Sequence, residues 1–121
     1  MLVHHLLVIN ARVKDPPKNP EYIVQWKKKL VEDIGMKILD GPYARYHDMP
    51  GNRGLTAVTI IETSHIALHV WDEDEPGLLR LDVYSCAQFE INTILAAIEE
   101  FQPTLVDYKF LDRTGDFILA S

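Results

Sequence analysis

The sequence contains a single cysteine, Cys86, among its 121 residues. One cysteine excludes a framework of internal disulfides and is typical of a reducing compartment. No apolar run approaches the roughly 20 residues that a membrane-spanning helix needs. The first residues lack the basic region and the small-residue cleavage site of a secretory signal. We therefore expect a cytoplasmic protein with no membrane partner.

Basic charge is scarce. The chain has 12 lysines and arginines against 18 acidic residues, a net charge of −6, which is the wrong sign for tracking a phosphate backbone. We therefore expect no nucleic-acid partner. The acidic excess either favours cationic small molecules or only keeps a small protein soluble. A chain of 121 residues with 47% hydrophobic content fits a single domain over residues 1–121.

Two helices are predicted from the residues that begin and end helices and from the spacing of apolar residues. The first begins after Asn19 as N-cap and ends before Gly35, with apolar residues recurring every three or four positions between them. The basic run 27–29 falls late in this helix, where cations suit the helix dipole. The second helix is predicted over residues 88–101.

The remaining apolar runs alternate or are rich in β-branched residues, which predicts strands. The predicted strands span residues 2–13, 36–46, 55–62, 65–71, 78–85, 104–111 and 117–120. Short connections favour an antiparallel sheet, so we expect an α+β two-layer sandwich with both helices on one face. One face of the sheet then needs cover from the two helices or from a second copy of the chain.

The most unusual local feature is the connection between the strands 55–62 and 65–71. Thr63 and Ser64 are predicted to form a tight hairpin turn, although neither residue tolerates a positive φ angle cheaply. A tight turn without glycine, asparagine or aspartate predicts a strained peptide bond at this point.

Three short segments carry candidate chemistry. Residues 54–57 are Gly-Leu-Thr-Ala, residues 62–73 are Glu-Thr-Ser-His-Ile-Ala-Leu-His-Val-Trp-Asp-Glu, and residues 82–86 are Asp-Val-Tyr-Ser-Cys. Together they resemble the prokaryotic S-adenosylmethionine decarboxylases. That family carries Gly-x-Ser-Gly, then Glu-Ser-His-Ile-x-x-His-Thr-Trp-Pro-Glu, then Asp-Val-Phe-Thr-Cys-Gly. The first two segments match in spacing without a gap, and the combination is far more specific than any one segment.

The resemblance implies a proenzyme that cuts its own backbone between Thr63 and Ser64. The serine hydroxyl attacks the preceding carbonyl, and elimination converts Ser64 into an N-terminal pyruvoyl group, which is the cofactor. Its ketone forms a Schiff base with the substrate amine and accepts the electrons left as CO₂ departs. The implied reaction is decarboxylation of S-adenosylmethionine to the aminopropyl donor of polyamine synthesis. The implied assembly is a homodimer whose sheets pack together.

The resemblance also implies roles for four other residues. Thr56 and His69 assist the self-processing step, and His69 and Cys86 act beside the pyruvoyl group in catalysis. Cys86 is the general acid that protonates the carbanion. Glu73 grips the ribose hydroxyls of the substrate, a task suited to the two acceptor oxygens of a carboxylate.

The chain departs from the family pattern at several positions. Thr63 stands where the family has glutamate, Thr56 and Ala57 replace Ser-Gly, Asp72 replaces proline and Ala87 replaces glycine. Two alternatives therefore stay open. One is an unprocessed, non-catalytic homologue that binds a cationic metabolite or a partner protein. The other is a pyruvoyl decarboxylase of a different amino acid.

Each candidate residue also has an ordinary structural interpretation. Ser64 is a common turn residue, Cys86 a small residue suited to the core, and Glu73 one of four consecutive acids in a solvated turn. His65 and His69 share a strand face and together supply two metal ligands. No third ligand stands at a matching spacing, so we expect no metal.

Overall fold

The computed structural model of the chain describes residues 2–116 and 118–120. In chain order the elements are β1 (His5–Val13), α1 (Pro20–Asp33), β2 (Ile38–His47), β3 (Gly54–Ile61), β4 (Ser64–Trp71), β5 (Gly77–Ser85), α2 (Ile91–Ala97), β6 (Pro103–Asp112) and β7 (Ile118–Leu119). Within the described residues the strands form one seven-stranded antiparallel sheet in the order β2-β3-β4-β5-β1-β6-β7. The helices pack on one face of this sheet, which confirms the predicted α+β two-layer fold.

Helix α1 begins as its sequence predicts. The side chain of Asn19 accepts a hydrogen bond from the N–H of Glu21 at 2.9 Å, and Pro20 occupies the first helical position. Gly35 follows the helix with φ of +76°, a left-handed conformation that glycine adopts at low cost. The predicted apolar stripe is buried against the sheet, and its members are Ile23, Trp26, Leu30 and Ile34.

The prediction for the basic run 27–29 is wrong for Lys27. Helix α1 continues a full turn beyond the run, and Lys27 lies on the core side with no exposed surface. Its ammonium donates to the backbone oxygens of Ile66 and Ala57 at 2.7 and 3.3 Å, and to the Thr59 hydroxyl at 3.4 Å. Burial lowers the pKa of Lys27 to about 7, because a charged amine loses its hydration in the core.

The second helical segment is shorter than predicted. Helix α2 covers only Ile91–Ala97, and a single 3₁₀ turn follows at Glu99–Phe101. No side chain caps the start of α2, so the residues before it remain outside the helix. The apolar positions still face the core as expected. No helix in the described part of the chain is long and apolar enough to cross a membrane.

The last predicted strand, 117–120, is described only in part. Residue 117 lies outside the described residues, and β7 is limited to Ile118–Leu119. This short strand pairs antiparallel with the end of β6. Within the described residues, β7 therefore forms the edge of the sheet opposite β2.

Strand alternation separates the two faces of the sheet. In β3, Leu55, Ala57 and Ile61 are buried beneath the helices. The intervening residues point to the opposite face, where Val58 and Ile60 are 44% and 47% exposed. No described element covers this second face, which we call the open face.

The hairpin between β3 and β4 differs from its prediction by one residue. Glu62 and Thr63 form the two-residue loop, whereas Ser64 pairs with Ile61 and is the first residue of β4. The N–H of Glu62 donates to the backbone oxygen of Lys37 at 3.0 Å, so the loop rests on the segment that follows α1. This one-residue shift places Ser64 in the hydrogen-bonded pairing of β3 and β4 and not in the loop.

Candidate active site

Ser64 has a strained backbone conformation. Its φ angle is +145°, in a range that residues with a Cβ atom rarely adopt. Such a conformation costs on the order of 1–3 kcal/mol and persists only where the surroundings impose it. Here the two-residue loop and the pairing of Ser64 with Ile61 and Ser85 impose it. The strain predicted for this turn therefore falls on the peptide unit that contains the predicted nucleophile.

The carbonyl group before Ser64 is polarised by a hydrogen bond. The backbone N–H of Cys86 donates to the oxygen of Thr63 at 2.8 Å. The Cys86 oxygen in turn accepts from the N–H of Val3 at 3.1 Å, which fixes this segment against the chain before β1. A preorganised N–H donor stabilises the negative charge that develops on a carbonyl oxygen under nucleophilic attack. The sequence predicted Cys86 only for its thiol; its N–H is a second contribution.

Hydroxyl groups and a thioether surround the same peptide unit. The Thr63 hydroxyl donates to Sδ of Met36 at 3.1 Å. The hydroxyl of Ser85, which is fully buried, accepts from the N–H of Ala87 at 2.9 Å. These contacts hold Thr63 and the end of β5, which lies beside the predicted cleavage site.

A second cluster lies farther along β3 and β4 on the open face. Thr56 and His69 are direct ladder partners, and Oγ1 of Thr56 lies 3.2 Å from Nδ1 of His69. The His69 ring is adjacent to Trp71, with ring centroids 6.1 Å apart. The indole N–H of Trp71 donates to Asn52 at 2.9 Å and so holds the loop before β3. A cavity of about 50 Å³ opens beside these side chains.

Glu73 lies at the same end of the molecule. Its two carboxylate oxygens accept hydrogen bonds from the N–H groups of Gly51 and Arg53, each at 3.1 Å. These two donors hold the pKa of Glu73 below its usual value. Glu73 is therefore ionised and fixed against the loop 48–53, and each oxygen keeps a free lone pair for a further donor.

The predicted site residues form two clusters within one chain. Ser64 and Cys86 meet at the start of β4, whereas Thr56, His69 and Glu73 gather toward its other end. Ser64 and His69 are five positions apart on the strand, which corresponds to about 17 Å at the rise of an extended chain. A single chain therefore does not bring the two clusters together.

The first cluster has the features of a backbone self-cleavage site: a strained serine, and a preceding carbonyl with a fixed N–H donor. The family model for S-adenosylmethionine decarboxylase matches residues 5–114. The chain belongs to the S-adenosylmethionine decarboxylase family, which confirms the resemblance of its three segments.

Curated relatives agree with this assignment. The chain is 31% identical over 87 residues to the S-adenosylmethionine decarboxylase proenzyme of Clostridium botulinum strain Langeland, covering 71% of this chain and 70% of the relative. It is 34% identical over 62 residues to the proenzyme of the same name from Sulfurihydrogenibium, covering 50% of this chain and 45% of the relative.

A solved structure supports the fold. The chain resembles the crystal structure of the adenosylmethionine decarboxylase from Aquifex aeolicus with a TM-score of 0.71. The match covers 94% of this chain and 92% of the other, at 20% sequence identity. At this identity the likeness concerns the arrangement of strands and helices.

Proposed function

We propose that the chain is a cytoplasmic proenzyme that cuts itself between Thr63 and Ser64 and then decarboxylates S-adenosylmethionine to the aminopropyl donor of polyamine synthesis. Membership of the family and the proenzyme names of the relatives support this function. The single observation that carries it is the geometry at the cut. Ser64, at φ of +145°, directly follows a carbonyl that accepts the N–H of Cys86 at 2.8 Å.

The strained peptide lowers the cost of self-cleavage. The Ser64 hydroxyl attacks the carbonyl carbon of Thr63, the C–N bond breaks, and an ester replaces the amide. The Cys86 N–H stabilises the oxyanion of the tetrahedral intermediate. Loss of the Cα proton of residue 64 then breaks the Cβ–O bond and releases Thr63 as a carboxylate. The dehydroalanine left at residue 64 tautomerises to an imine, which water hydrolyses; ammonia leaves, and residue 64 becomes the pyruvoyl group.

The chain can hold this cofactor without further residues, because the pyruvoyl group forms from Ser64 itself. The segment around Ser64 is already fixed by hydrogen bonds to the end of β5. When formed, the pyruvoyl group supplies a ketone for the substrate amine and an electron sink for decarboxylation. The half-buried Cys86 lies beside it in the fold, and its thiol delivers the proton to the substrate carbon after CO₂ departs. Glu73 binds the ribose hydroxyls, which donate to its free lone pairs.

A second copy of the chain completes the site. The open face exposes apolar side chains on β2 and β3, at one edge of the sheet, with Tyr43 52% exposed beside Val58 and Ile60. Two open faces packed with their strands antiparallel bring the His69 end of one copy against the end of the other copy's sheet where β4 begins. In the ladder Ser64 pairs with the buried Ile61 and Ser85, so the strained Ser64 has to turn toward the open face to meet His69. A homodimer thus unites the two clusters that lie about 17 Å apart within one chain.

Intact mass under denaturing conditions tests self-cleavage. We expect two fragments, of 63 and 58 residues, whose masses sum to one dalton more than the precursor. The gain arises because hydrolysis adds water and releases ammonia. A Ser64→Ala control stays uncleaved. A wild-type chain that stays intact on long incubation contradicts the proposal and favours the unprocessed, ligand-binding alternative.

The roles of Cys86 can be separated by one substitution. Cys86→Ala removes the thiol but keeps the N–H that contacts Thr63. We expect cleavage to continue and CO₂ release from carboxyl-labelled S-adenosylmethionine to fall by about 100-fold or more, the usual loss of a general acid. Labelled ornithine, arginine and aspartate serve as competing substrates. Preferential release from one of them contradicts the substrate assignment while leaving self-cleavage intact.

Mixed dimers test the shared site. Ser64→Ala chains and His69→Ala chains are each expected to be inactive alone. When they are coexpressed, a mixed dimer contains one complete site, formed by Ser64 of one chain and His69 of the other. Cleavage and activity are then restored in part. A mixture that stays inactive, despite mixed dimers being present by mass, places both residues in one chain's site.

A further inference from the structure

The segment that follows α1 packs beneath the hairpin loop next to the proposed cut. Gly35 ends the helix, and the N–H of Met36 donates to the backbone oxygen of Val31 at 3.0 Å. One residue later, the oxygen of Lys37 accepts from the N–H of Glu62 at 3.0 Å. These two backbone hydrogen bonds fix the position of Met36 relative to the loop.

The Met36 thioether lies near two hydroxyls, that of Thr63 at the cut and that of Ser85 on the neighbouring strand. The hydroxyl of Thr63 donates to Sδ at 3.1 Å, and that of Ser85 lies 3.6 Å from the same sulfur. Met36 is 9% exposed, so little water competes for the sulfur. Ser85 is the ladder partner of Ser64 and directly precedes Cys86. The sulfur therefore accepts the Thr63 hydroxyl beside the strand that supplies the N–H donor, whereas the Ser85 hydroxyl donates to the backbone oxygen of Ala87 at 2.8 Å.

Thr63 is consequently held at two points. Its hydroxyl is fixed by Met36, and its carbonyl oxygen is fixed by the N–H of Cys86 at 2.8 Å. Two anchors on one residue restrict the rotation of its carbonyl group relative to the following Ser64. Nucleophilic attack depends steeply on such alignment, because only a narrow range of approach leads to bond formation.

We propose that Met36 is a positioning residue for self-cleavage. Its sulfur, acting through the Thr63 hydroxyl, holds the carbonyl carbon of Thr63 in reach of the Ser64 hydroxyl. This inference rests on the proposed self-cleavage and adds a residue outside the three segments that carry the family resemblance. It assigns the sulfur no part in decarboxylation, since Thr63 becomes a free carboxylate once the chain is cut.

A double-mutant cycle on the rate of self-cleavage tests the proposal. Met36→Leu keeps a similar volume without the acceptor, and Thr63→Val keeps the shape without the hydroxyl. Each is expected to slow cleavage roughly three- to tenfold, as for loss of one hydrogen bond. The double variant is expected to be no slower than the slower single variant, because both remove the same contact. Thr63→Ser keeps a hydroxyl and is expected to cleave at close to the wild-type rate.

Two further measurements separate positioning from a general loss of structure. Urea unfolding of each uncleaved variant in a Ser64→Ala background reports stability, and turnover per cleaved chain reports the mature site. We expect unchanged turnover per cleaved chain beside slower cleavage. A Met36→Leu chain that cleaves at the wild-type rate overturns the inference, as do effects that multiply in the double variant. A wild-type chain that never cleaves removes the proposed function and this inference together.

Discussion

Replacing Lys27 by methionine removes a charge from the core while keeping an unbranched side chain of similar length. Lys27 has no exposed surface, and its three hydrogen-bond acceptors are all uncharged groups. Among the described residues no carboxylate forms an ion pair with it. Desolvation of the ammonium is therefore not offset by an opposite charge.

The magnitude follows from the pKa of Lys27. It falls from 10.5 to about 7 in the folded chain, and each unit corresponds to about 1.36 kcal/mol, so the folded state disfavours the ammonium by about 5 kcal/mol. The unfolded chain holds this proton up to its ordinary pKa, whereas the folded chain releases it near neutrality. The unfolded state therefore binds more protons across this window, and folding stability rises with pH through it.

Urea unfolding between about pH 6 and pH 10 measures the effect, with Ser64→Ala in both chains so that neither cleaves. Protein concentration is fixed, because dimer formation also contributes to stability. Groups common to both chains cancel in the difference. We expect Lys27→Met to be the more stable chain near pH 6 and to lose several kcal/mol of that advantage by pH 10. A difference that stays constant across this range would refute the reasoning.

Three further predictions concern residues that support the fold and the loop beside the site. Gly54→Ala places a Cβ atom 1.7 Å from the oxygen of Val70, so urea unfolding is expected to show a loss of at least about 1–3 kcal/mol; Gly115→Ala, which meets no atom, is the control. Asn19→Ala removes the helix cap and is expected to cost about 1 kcal/mol in the same assay. Because the pKa of Glu73 is lowered, its hold on the loop 48–53 persists as pH falls through the ordinary value and ends only below it. Amide exchange of that loop measures this, and Glu73→Gln is expected to exchange faster at neutral pH.

Local sequence patterns were sufficient to predict the structure where a single position requires a particular residue type. Asn19 and Gly35 bracket α1 because a cap needs a side-chain acceptor and a left-handed residue needs no Cβ. The strained turn was also predictable, because the residues at 62–64 include none that tolerates a positive φ. The loop itself was displaced by one residue, to Glu62 and Thr63, because the strand register places the strained Ser64 at the start of β4.

The position of Lys27 in α1 predicted a buried side chain, whereas its residue type predicted an exposed one. Lys27 stands four residues after Ile23 and three before Leu30, which places it on the buried stripe of α1. A lysine at such a position is normally expected to reach solvent, and the acceptors that hold it come from β3 and β4. By contrast, the proposed roles of Met36 and of the N–H of Cys86 depend on contacts between strands and leave no local pattern in the sequence.

The distance that the central motif spans depends on whether its residues form a helix or a strand. Ser64 and His69 are five residues apart, and in a helix they would lie within about 8 Å along the axis. In β4 the same spacing extends to about 17 Å, too far for both side chains to act on one atom. A motif that is contiguous in sequence but lies on one strand therefore fits the homodimer proposed above, in which it supplies two half-sites. If both halves serve one reaction, the strand itself requires a second chain, and the open face with its exposed Val58 and Ile60 is where that chain can pack.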